Sequence, residues 1–184
     1  MGDRLKAKVC LVGEAAVGKT RLVQRYVLDD YDDAYVQTLG TKVYKRALTV
    51  NPVHGGGPVA VDLSIWDIMG QKGFRELLKD AYFYQANGIL AVCDVTRRGT
   101  LDDLLAWIDS VNAATGPVPT TVLANKADLA DKAQIKEPDV ADAAKRFGAP
   151  FFLTSAKTGE NVARAFQTLA ERIVERKAAP NPTR

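Results

Sequence analysis

The sequence predicts a single α/β domain in which helices cover both faces of a six-stranded, mostly parallel sheet with one antiparallel hairpin strand. Two observations support this prediction. Short apolar runs rich in β-branched residues alternate with longer amphipathic stretches along almost the whole chain, which is typical of strand–helix–strand units. The length of 184 residues is enough for one well-buried domain and too short for two of ordinary size.

The chain is predicted to begin with a strand and a helix. Residues 8–12 form a short apolar run, which predicts a buried strand, and residues 19–28 continue as a helical stretch after a glycine-containing turn. Residues 29–40 are polar and rich in aspartate, so we expect a loop there.

An antiparallel hairpin follows this loop. Residues 43–50 and 59–66 both have the composition of strands, and the proline- and glycine-rich segment 51–58 between them predicts a turn. The only histidine, His54, lies in that turn, where we expect it to be solvated, and we assign it no role.

The second half of the chain alternates regularly between helices and strands, which indicates parallel strands joined by helical crossovers. Helices are predicted at residues 74–85, 101–112, 138–147 and 161–176, and strands at residues 88–92, 118–123 and 151–153. Ligands bind such a sheet beyond the carboxyl ends of its strands, so the loops after the strands form the candidate site.

Composition and charge exclude several classes of function. A net charge of +3 gives no support for nucleic-acid binding, and no apolar run approaches the length that spans a membrane. The charged N-terminus lacks the pattern of a signal peptide. Cys10 and Cys93 lie in predicted core strands, which indicates free thiols in a reducing compartment. We expect a cytoplasmic protein that acts as a monomer.

The turn after the first strand has the pattern G-x-x-x-x-G-K-[ST], which is a complete phosphate-binding loop. Its glycines allow close approach of the backbone to phosphate, and its N–H groups surround an anion at the start of a helix. Lys19 is placed to reach the terminal phosphates and Thr20 to ligate Mg²⁺, whereas an ordinary glycine-rich turn gives no reason for these two residues. The candidate nucleotide-binding residues of this loop are Gly13, Glu14, Ala15, Ala16, Val17, Gly18, Lys19 and Thr20.

The motif Asn125-Lys126-x-Asp128 follows the fifth predicted strand and indicates that the base is guanine. The edge of guanine presents two donors, a ring N–H and an amino group, and a carboxylate such as Asp128 accepts from both. Adenine lacks this donor pair, so the site would reject it. Asn125 and Lys126 would hold the surrounding loops and flank the ring.

A shorter motif, Ser155-Ala156-Lys157, follows the sixth predicted strand. The backbone N–H of Ala156 is placed to donate to the guanine carbonyl oxygen, and the Lys157 stem to cover the base. Each of these two motifs recurs by chance. Their order after the phosphate loop, each at the end of a predicted strand, makes them specific together.

The three motifs, together with Thr38 and the segment Trp66-Asp67-x-x-Gly70-Gln71, resemble the Ras superfamily of small GTPases, and the Rab and Ran branches are the most similar. The resemblance covers residues 5–174. It implies a P-loop NTPase G domain, which we place at residues 1–177, followed by a short tail at residues 178–184. It also implies a guanine-nucleotide switch that binds GTP or GDP with Mg²⁺ and hydrolyses GTP slowly.

The resemblance implies a metal site and a catalytic set. The metal ligands would be Thr20, Thr38 and Asp67, with Asp67 acting through water and Thr38 joining only when the γ-phosphate is present. Gln71 would orient the attacking water, and Gln71, Lys19 and Thr38 form the predicted catalytic set. Without the other motifs, Thr38 would be interpreted as a turn or capping threonine.

Three further residues take their roles from the same resemblance. Tyr31 would stack against guanine, Tyr35 would cover the phosphates, and the N–H of Gly70 would bond the γ-phosphate. The alternative for Tyr31 is an ordinary surface tyrosine. Loss of the γ-phosphate would release two loops, the first switch loop at residues 29–40 and the second switch loop around Gly70, which is an order–disorder switch.

The chain departs from the family around the second of these loops. Ile68 and Met69 replace the usual Thr-Ala, and Lys72 replaces an acidic residue. Because Met69 is bulky and adjoins Gly70, the alternative to an active switch is a nucleotide-locked interaction module with little or no hydrolysis. Gln71 favours the active switch. A P-loop ATPase or kinase is disfavoured by the guanine motif and the short chain.

Effector, exchange-factor and GTPase-activating proteins are expected partners in this family. Lys42 and Val43 differ from the usual Rab pattern, so effectors of the eukaryotic branches cannot be carried over. The sequence has no cysteine near Arg184, so we expect no prenyl anchor on the chain as it stands. A soluble protein like Ran, a branch without lipidation and a chain that continues further all fit this observation.

Overall fold

The computed structural model describes residues 4–29, 40–53 and 55–179. Within these residues, six strands form one sheet in the spatial order β2-β3-β1-β4-β5-β6. They are β1 (Leu5–Val12), β2 (Thr41–Val50), β3 (Val59–Ile68), β4 (Gly88–Asp94), β5 (Thr120–Asn125) and β6 (Phe151–Thr154). β2 pairs with β3 in antiparallel fashion and the other neighbours are parallel, which confirms the predicted sheet.

Helices cover both faces of this sheet. They are α1 (Lys19–Leu28), α2 (Arg75–Leu78), α3 (Arg98–Thr115), α4 (Glu137–Lys145) and α5 (Val162–Ala178). In β1, Val9 and Leu11 pack with α1 and α5, while Cys10 and Val12 pack with α3 and α4. Successive side chains of a strand point to opposite faces, so a strand with both faces covered is apolar throughout. Cys10 and Cys93 are free and buried.

Three short helical pieces stand where one α-helix, residues 74–85, is predicted, so that prediction is wrong in detail. A 3₁₀ turn (Lys72–Phe74), α2 and a π-helical turn (Lys79–Phe83) follow one another. Phe83 is completely buried, whereas Tyr84 is 62% exposed. The wider π turn lets Phe83 enter the core. Burial of such a side chain stabilises the fold by about 1.5–3 kcal/mol.

Four of the residues singled out from the sequence, Tyr31, Tyr35, Thr38 and His54, lie outside the described residues. Helix α5 ends at Ala178, and the domain limits proposed from the sequence stay a prediction. Across the described part of the chain, no helix combines the length and the apolar character that a membrane crossing requires.

Candidate nucleotide-binding site

The phosphate-binding loop connects β1 to α1 at the carboxyl edge of the sheet, and two of its positions require glycine. Gly13 has a φ of 144° and Gly18 a φ of 102°. A Cβ on Gly13 would lie 2.2 Å from the Val92 carbonyl oxygen, and a Cβ on Gly18 would lie 2.3 Å from Nδ2 of Asn125. Residues near the carboxyl ends of β4 and β5 therefore lie directly against the loop and fix its path.

Lys19 lies beneath the loop and is 6% exposed. Its ammonium group donates to the carbonyl oxygens of Gly13 and Glu14, each at 2.8 Å. Burial lowers the pKa of Lys19 to about 8, and the negative charges of Asp67 and Glu14 partly oppose this shift. The loop is thus closed around a buried cation, which is the arrangement that a terminal phosphate needs.

Two of the three predicted metal ligands meet beside Lys19. The hydroxyl of Thr20 donates to Oδ2 of Asp67 at 2.5 Å, and Asp67 is completely buried at the end of β3. Oxygen ligands from one hydroxyl and one carboxylate suit Mg²⁺, which leaves the rest of its coordination sphere to water and phosphate oxygens. These residues therefore fit the ion that the sequence predicts.

The base motif lines a cavity of about 200 Å³ on the other side of the loop. Asn125 joins the two parts of the site, because its Nδ2 donates to the Val17 carbonyl at 3.0 Å and its Oδ1 accepts from the Thr154 hydroxyl at 3.2 Å. The cavity is lined by Gly18, Arg21, Asn125, Lys126, Asp128, Leu129, Ala156 and Lys157.

The carboxylate of Asp128 is held in place by the loop after β6. The Ser155 hydroxyl donates to Oδ1 of Asp128 at 2.6 Å and accepts from the Thr158 N–H at 3.1 Å. Because a carboxylate oxygen only accepts and the backbone N–H of Thr158 only donates, the Ser155 proton lies on the bond to Asp128. The carboxylate therefore remains an oriented acceptor at the cavity.

Arg25, on α1, is a positioning residue that belongs to none of the sequence motifs and was not predicted. Its Nε donates to the Ala156 carbonyl at 2.8 Å, and Nη2 donates to the Lys157 carbonyl. These bonds attach the Ser155-Ala156-Lys157 loop to the helix that starts at the phosphate loop. The base end and the phosphate end of the site are thereby tied together.

The second switch loop lies directly against the phosphate loop. A Cβ on Gly70 would lie 2.4 Å from the Ala15 nitrogen and from the Glu14 carbonyl carbon, and 2.5 Å from the Gly13 oxygen. No side chain fits in that space, so glycine is required there for steric reasons. Gln71 follows in an extended conformation, with φ −80° and ψ 120°.

The unusual residues around Gly70 have structural partners. Ile68 is completely buried and Met69 packs against the same core cluster, so both side chains turn into the core and not into the phosphate site. The Met69 N–H donates to the Gly40 carbonyl at 3.0 Å. Lys72 pairs with Asp103 on α3 at 2.5 Å. These contacts hold the second switch loop at both ends.

A cluster of charges beside the loop was not predicted either. Asp94 ends β4, and its Oδ2 accepts from Nε of Arg97 at 3.2 Å and from Nζ of Lys126 at 2.6 Å. A polar residue at the carboxyl end of a central parallel strand was the one signal that marked Asp94. Nothing in the sequence marked Arg97, because it belongs to no motif.

All the predicted site residues that the structure describes lie at this one edge of the sheet, although the chain separates them widely. They comprise the phosphate loop (Gly13, Glu14, Ala15, Ala16, Val17, Gly18, Lys19 and Thr20), Asp67, Gly70, Gln71, Asn125, Lys126, Asp128, Ser155, Ala156 and Lys157. The roles of Tyr31, Tyr35 and Thr38 stay predictions.

Comparison with known proteins agrees with this arrangement. The chain matches the model of the Ras family over residues 8–175. It is 31% identical over 175 residues to the Ras-related protein Rab-27B of Bos taurus, covering 92% of this chain and 80% of that protein. It is 34% identical over 172 residues to the Ras-related protein Rab-21 of Geodia cydonium, covering 93% and 72% respectively.

A human protein shows a similar degree of identity. The chain is 35% identical over 171 residues to the Ras-related protein Rab-26 of Homo sapiens, covering 92% of this chain and 64% of that protein. The family match includes the phosphate loop, the second switch loop and the base cavity. The chain therefore belongs to the Ras family and is a GTP-binding small GTPase of Rab type.

Proposed function

We propose that the protein binds GTP and GDP together with Mg²⁺, hydrolyses GTP slowly to GDP and phosphate, and changes the contacts of its two switch loops with the nucleotide state. The observation that supports this most directly is the continuity of the site. Asn125 bonds the phosphate loop at Val17 and borders the cavity in which Asp128 is oriented by Ser155. A triphosphate and a guanine base would each meet the chemistry they need.

Each part of the site has a defined task in this proposal. The loop N–H groups and Lys19 would hold the phosphates, while Thr20 and Asp67, joined by Thr38 in the GTP state, would hold the metal. Mg²⁺ would neutralise charge on the β- and γ-phosphate oxygens. Gln71 would orient the attacking water. Hydrolysis thus depends on positioning and electrostatics.

The second switch loop is expected to respond to the γ-phosphate through its backbone. Gly70 already packs against residues 13–15, and its N–H is proposed to bond the γ-phosphate. Ile68 and Met69 pack into the core, so their bulk gives no support to the alternative of a nucleotide-locked module. Tyr31 and Tyr35 are proposed to cover the guanine and the phosphates, and effectors, exchange factors and GTPase-activating proteins to be the partners.

Two measurements test this function. Protein purified gently should retain guanine nucleotide, which chromatography of the released ligand identifies. Protein loaded with GTP should then release phosphate in a single turnover at on the order of 10⁻⁴ to 10⁻² per second with Mg²⁺. Retention of adenine nucleotide, or turnover above about 1 per second without a partner protein, would contradict the proposal.

Gln71→Ala is expected to slow single-turnover hydrolysis by roughly 10-fold or more, because loss of orientation of a reacting group is costly. The dissociation rates of GDP and GTP should stay nearly unchanged, since the side chain orients water and does not hold the nucleotide. Gln167→Ala is the matched control. Gln167 lies on α5, outside the site, and its amide donates to the Thr49 carbonyl on β2 and to the Glu171 carboxylate on α5. Equal rates for Gln71→Ala and wild type would remove Gln71 from the catalytic set.

The two threonine ligands are expected to differ in their dependence on nucleotide state. Thr20→Ala should weaken binding of both GDP and GTP when Mg²⁺ is present, because Thr20 would ligate the metal in both states. Thr38→Ala should weaken binding of GTP and leave binding of GDP unchanged. Dissociation rates of fluorescent GDP and of a non-hydrolysable GTP analogue, with Mg²⁺ and with a chelator, measure both effects. A Thr38→Ala variant that loses GDP as readily as GTP would rule out a state-dependent ligand.

A further inference from the structure

We propose that Arg97 is a positioning residue for nucleotide retention. Together with Asp94 and Lys126, it holds the phosphate loop in a left-handed turn at Ala16. The inference rests on the proposed function, since the nucleotide retained is the one that occupies this site. It adds a residue that belongs to none of the nucleotide-binding motifs.

The turn at Ala16 needs such support. Ala16 has a φ of 63°, in the left-handed region that residues other than glycine rarely adopt. The Cβ of an L-residue is crowded by the backbone in this conformation, so the surroundings must hold it. This residue is also exposed, and burial of its own side chain does not fix the turn.

Two cations fix the peptide groups on either side of Ala16. Nη2 of Arg97 donates to the Ala15 carbonyl at 2.8 Å, and Nζ of Lys126 donates to the Ala16 carbonyl at 2.9 Å. The φ and ψ angles of Ala16 lie between these two peptide groups. Holding both carbonyls therefore holds the left-handed turn.

Asp94 anchors both cations. Its Oδ2 accepts from Arg97 and Lys126, and its Oδ1 accepts from the N–H and the hydroxyl of Thr96 at 2.9 and 2.7 Å. Asp94 is 1% exposed at the end of β4, which gives the cluster a rigid base. Burial alone would raise the pKa of this carboxyl, but the hydrogen bonds from Lys126 and Thr96 lower it overall, so the carboxylate is charged.

Arg97 is suited to this role by the shape of its guanidinium. It uses Nη2 on the loop and Nε on Asp94 at the same time, and Nη1 lies 3.9 Å from the carboxylate of Glu14. A lysine has a single nitrogen and cannot reproduce this fork. If the guanidinium is lost, the peptide group between Ala15 and Ala16 loses its support and can rotate, and the loop N–H groups no longer converge on a phosphate.

The position of Arg97 also suggests an alternative, which is a catalytic arginine that stabilises the γ-phosphate from within the same chain. The two roles predict opposite results. A positioning residue changes the dissociation of GDP and GTP alike, because both contact the loop. A catalytic arginine changes hydrolysis and leaves dissociation unchanged.

The test compares Arg97→Gln, Arg97→Lys and Arg98→Gln in the full chain. Arg98→Gln is the matched control, because it removes the same charge from the next residue in the chain. The Arg98 guanidinium pairs with Asp139 on α4 at 2.9 Å. Arg97→Gln should raise the dissociation rates of fluorescent GDP and of a non-hydrolysable GTP analogue by roughly 10-fold or more, with Arg97→Lys intermediate. Arg98→Gln should change them by less than about 2-fold.

We call the bonds from Arg97 and Lys126 to the carbonyls of Ala15 and Ala16 the clamp. Measuring the same Arg97 variants in an Ala16→Gly background separates loss of the clamp from a general loss of stability. Ala16→Gly removes the conformational strain, since glycine adopts a positive φ at no steric cost. The effect of Arg97→Gln on dissociation should therefore be several-fold smaller in Ala16→Gly than in wild type. Arg97→Lys measured in both backgrounds gives the same comparison if Arg97→Gln does not fold.

Three results would overturn the proposal. Equal fold-changes for the Arg97 variants in both backgrounds would show that Ala16 is not what Arg97 holds. Unchanged dissociation with slower hydrolysis would make Arg97 the catalytic arginine instead. Wild-type protein that binds no guanine nucleotide would refute the proposed function, and the clamp with it. In the first two cases wild-type binding persists, so failure of the clamp is distinguishable from failure of the function.

Discussion

Asp128→Asn is expected to weaken binding of GDP and GTP and to improve binding of xanthosine nucleotides. The wild-type carboxylate only accepts hydrogen bonds and, in the proposed site, would face two donors on the guanine edge. An asparagine places an NH₂ group opposite the guanine amino group, so that two donors oppose each other. Xanthine carries a carbonyl oxygen at that position, which the new NH₂ group would satisfy.

The structure indicates which way the new amide would point. The Ser155 hydroxyl accepts from Thr158 and donates to Oδ1 of Asp128. In Asp128→Asn the Ser155 hydroxyl would donate to the amide oxygen of the new asparagine, because NH₂ cannot accept. The NH₂ group would then be directed at the base. Ser155→Ala removes that control and, as the loss of one charge-assisted hydrogen bond, should cost roughly 10-fold in GDP affinity.

Competition titrations with GDP, ADP and XDP on wild type and Asp128→Asn measure this effect. Wild type should prefer GDP to ADP by roughly 10⁴-fold or more, because sites built to bond polar groups reject analogues that lack them. The variant should reverse the order of GDP and XDP. Equal affinity of wild type for ADP and GDP, or an unchanged GDP affinity in the variant, would remove Asp128 from the base site.

Gly13→Ala is expected to abolish stable nucleotide binding and to lower the thermal unfolding midpoint by on the order of 10 °C. The new Cβ would lie 2.2 Å from the Val92 carbonyl oxygen, at a φ of 144°. Val92 is fixed in the middle of the sheet, so the loop must move instead. Overpacking and the unfavourable φ each cost about 1–3 kcal/mol, and a displacement of about 1 Å in a site costs roughly 100-fold.

Gly116→Ala separates these two causes. Gly116 has a φ of 74° and no atom within 4 Å of an added Cβ, so the variant carries only the conformational cost. It should lose about 1–3 kcal/mol of stability and keep normal GDP affinity. Thermal unfolding of GDP-loaded protein and the nucleotide content after purification measure both variants. Gly13→Ala that behaves like Gly116→Ala would show that the loop can move away from Val92 freely.

The elements and motifs of this protein are predictable because they depend on short stretches of chain. The apolar run of β1, the glycine-containing turn and the amphipathic α1 are adjacent in sequence, and each follows from local periodicity or local φ requirements. The carboxyl ends of parallel strands share one edge of the sheet, so strand order along the chain is enough to place the base motif beside the phosphate loop. The irregular segment after Lys72 is not predictable in this way, because Phe83 packs into a core that distant elements of the chain build together.

The order of the strands and helices, the phosphate loop and the choice of guanine all follow from the chain itself, since those residues act through their type and their spacing. Folding alone brings Arg97 to the Ala15 carbonyl, 82 residues away, and Arg25 to the Ala156 carbonyl, 131 residues away. Folding also turns Ile68 and Met69 into the core and sets Gly70 against the loop. The physical reason is that arginines donate to whichever carbonyls the packed sheet and helices leave within reach, and no pattern along the chain records that distance.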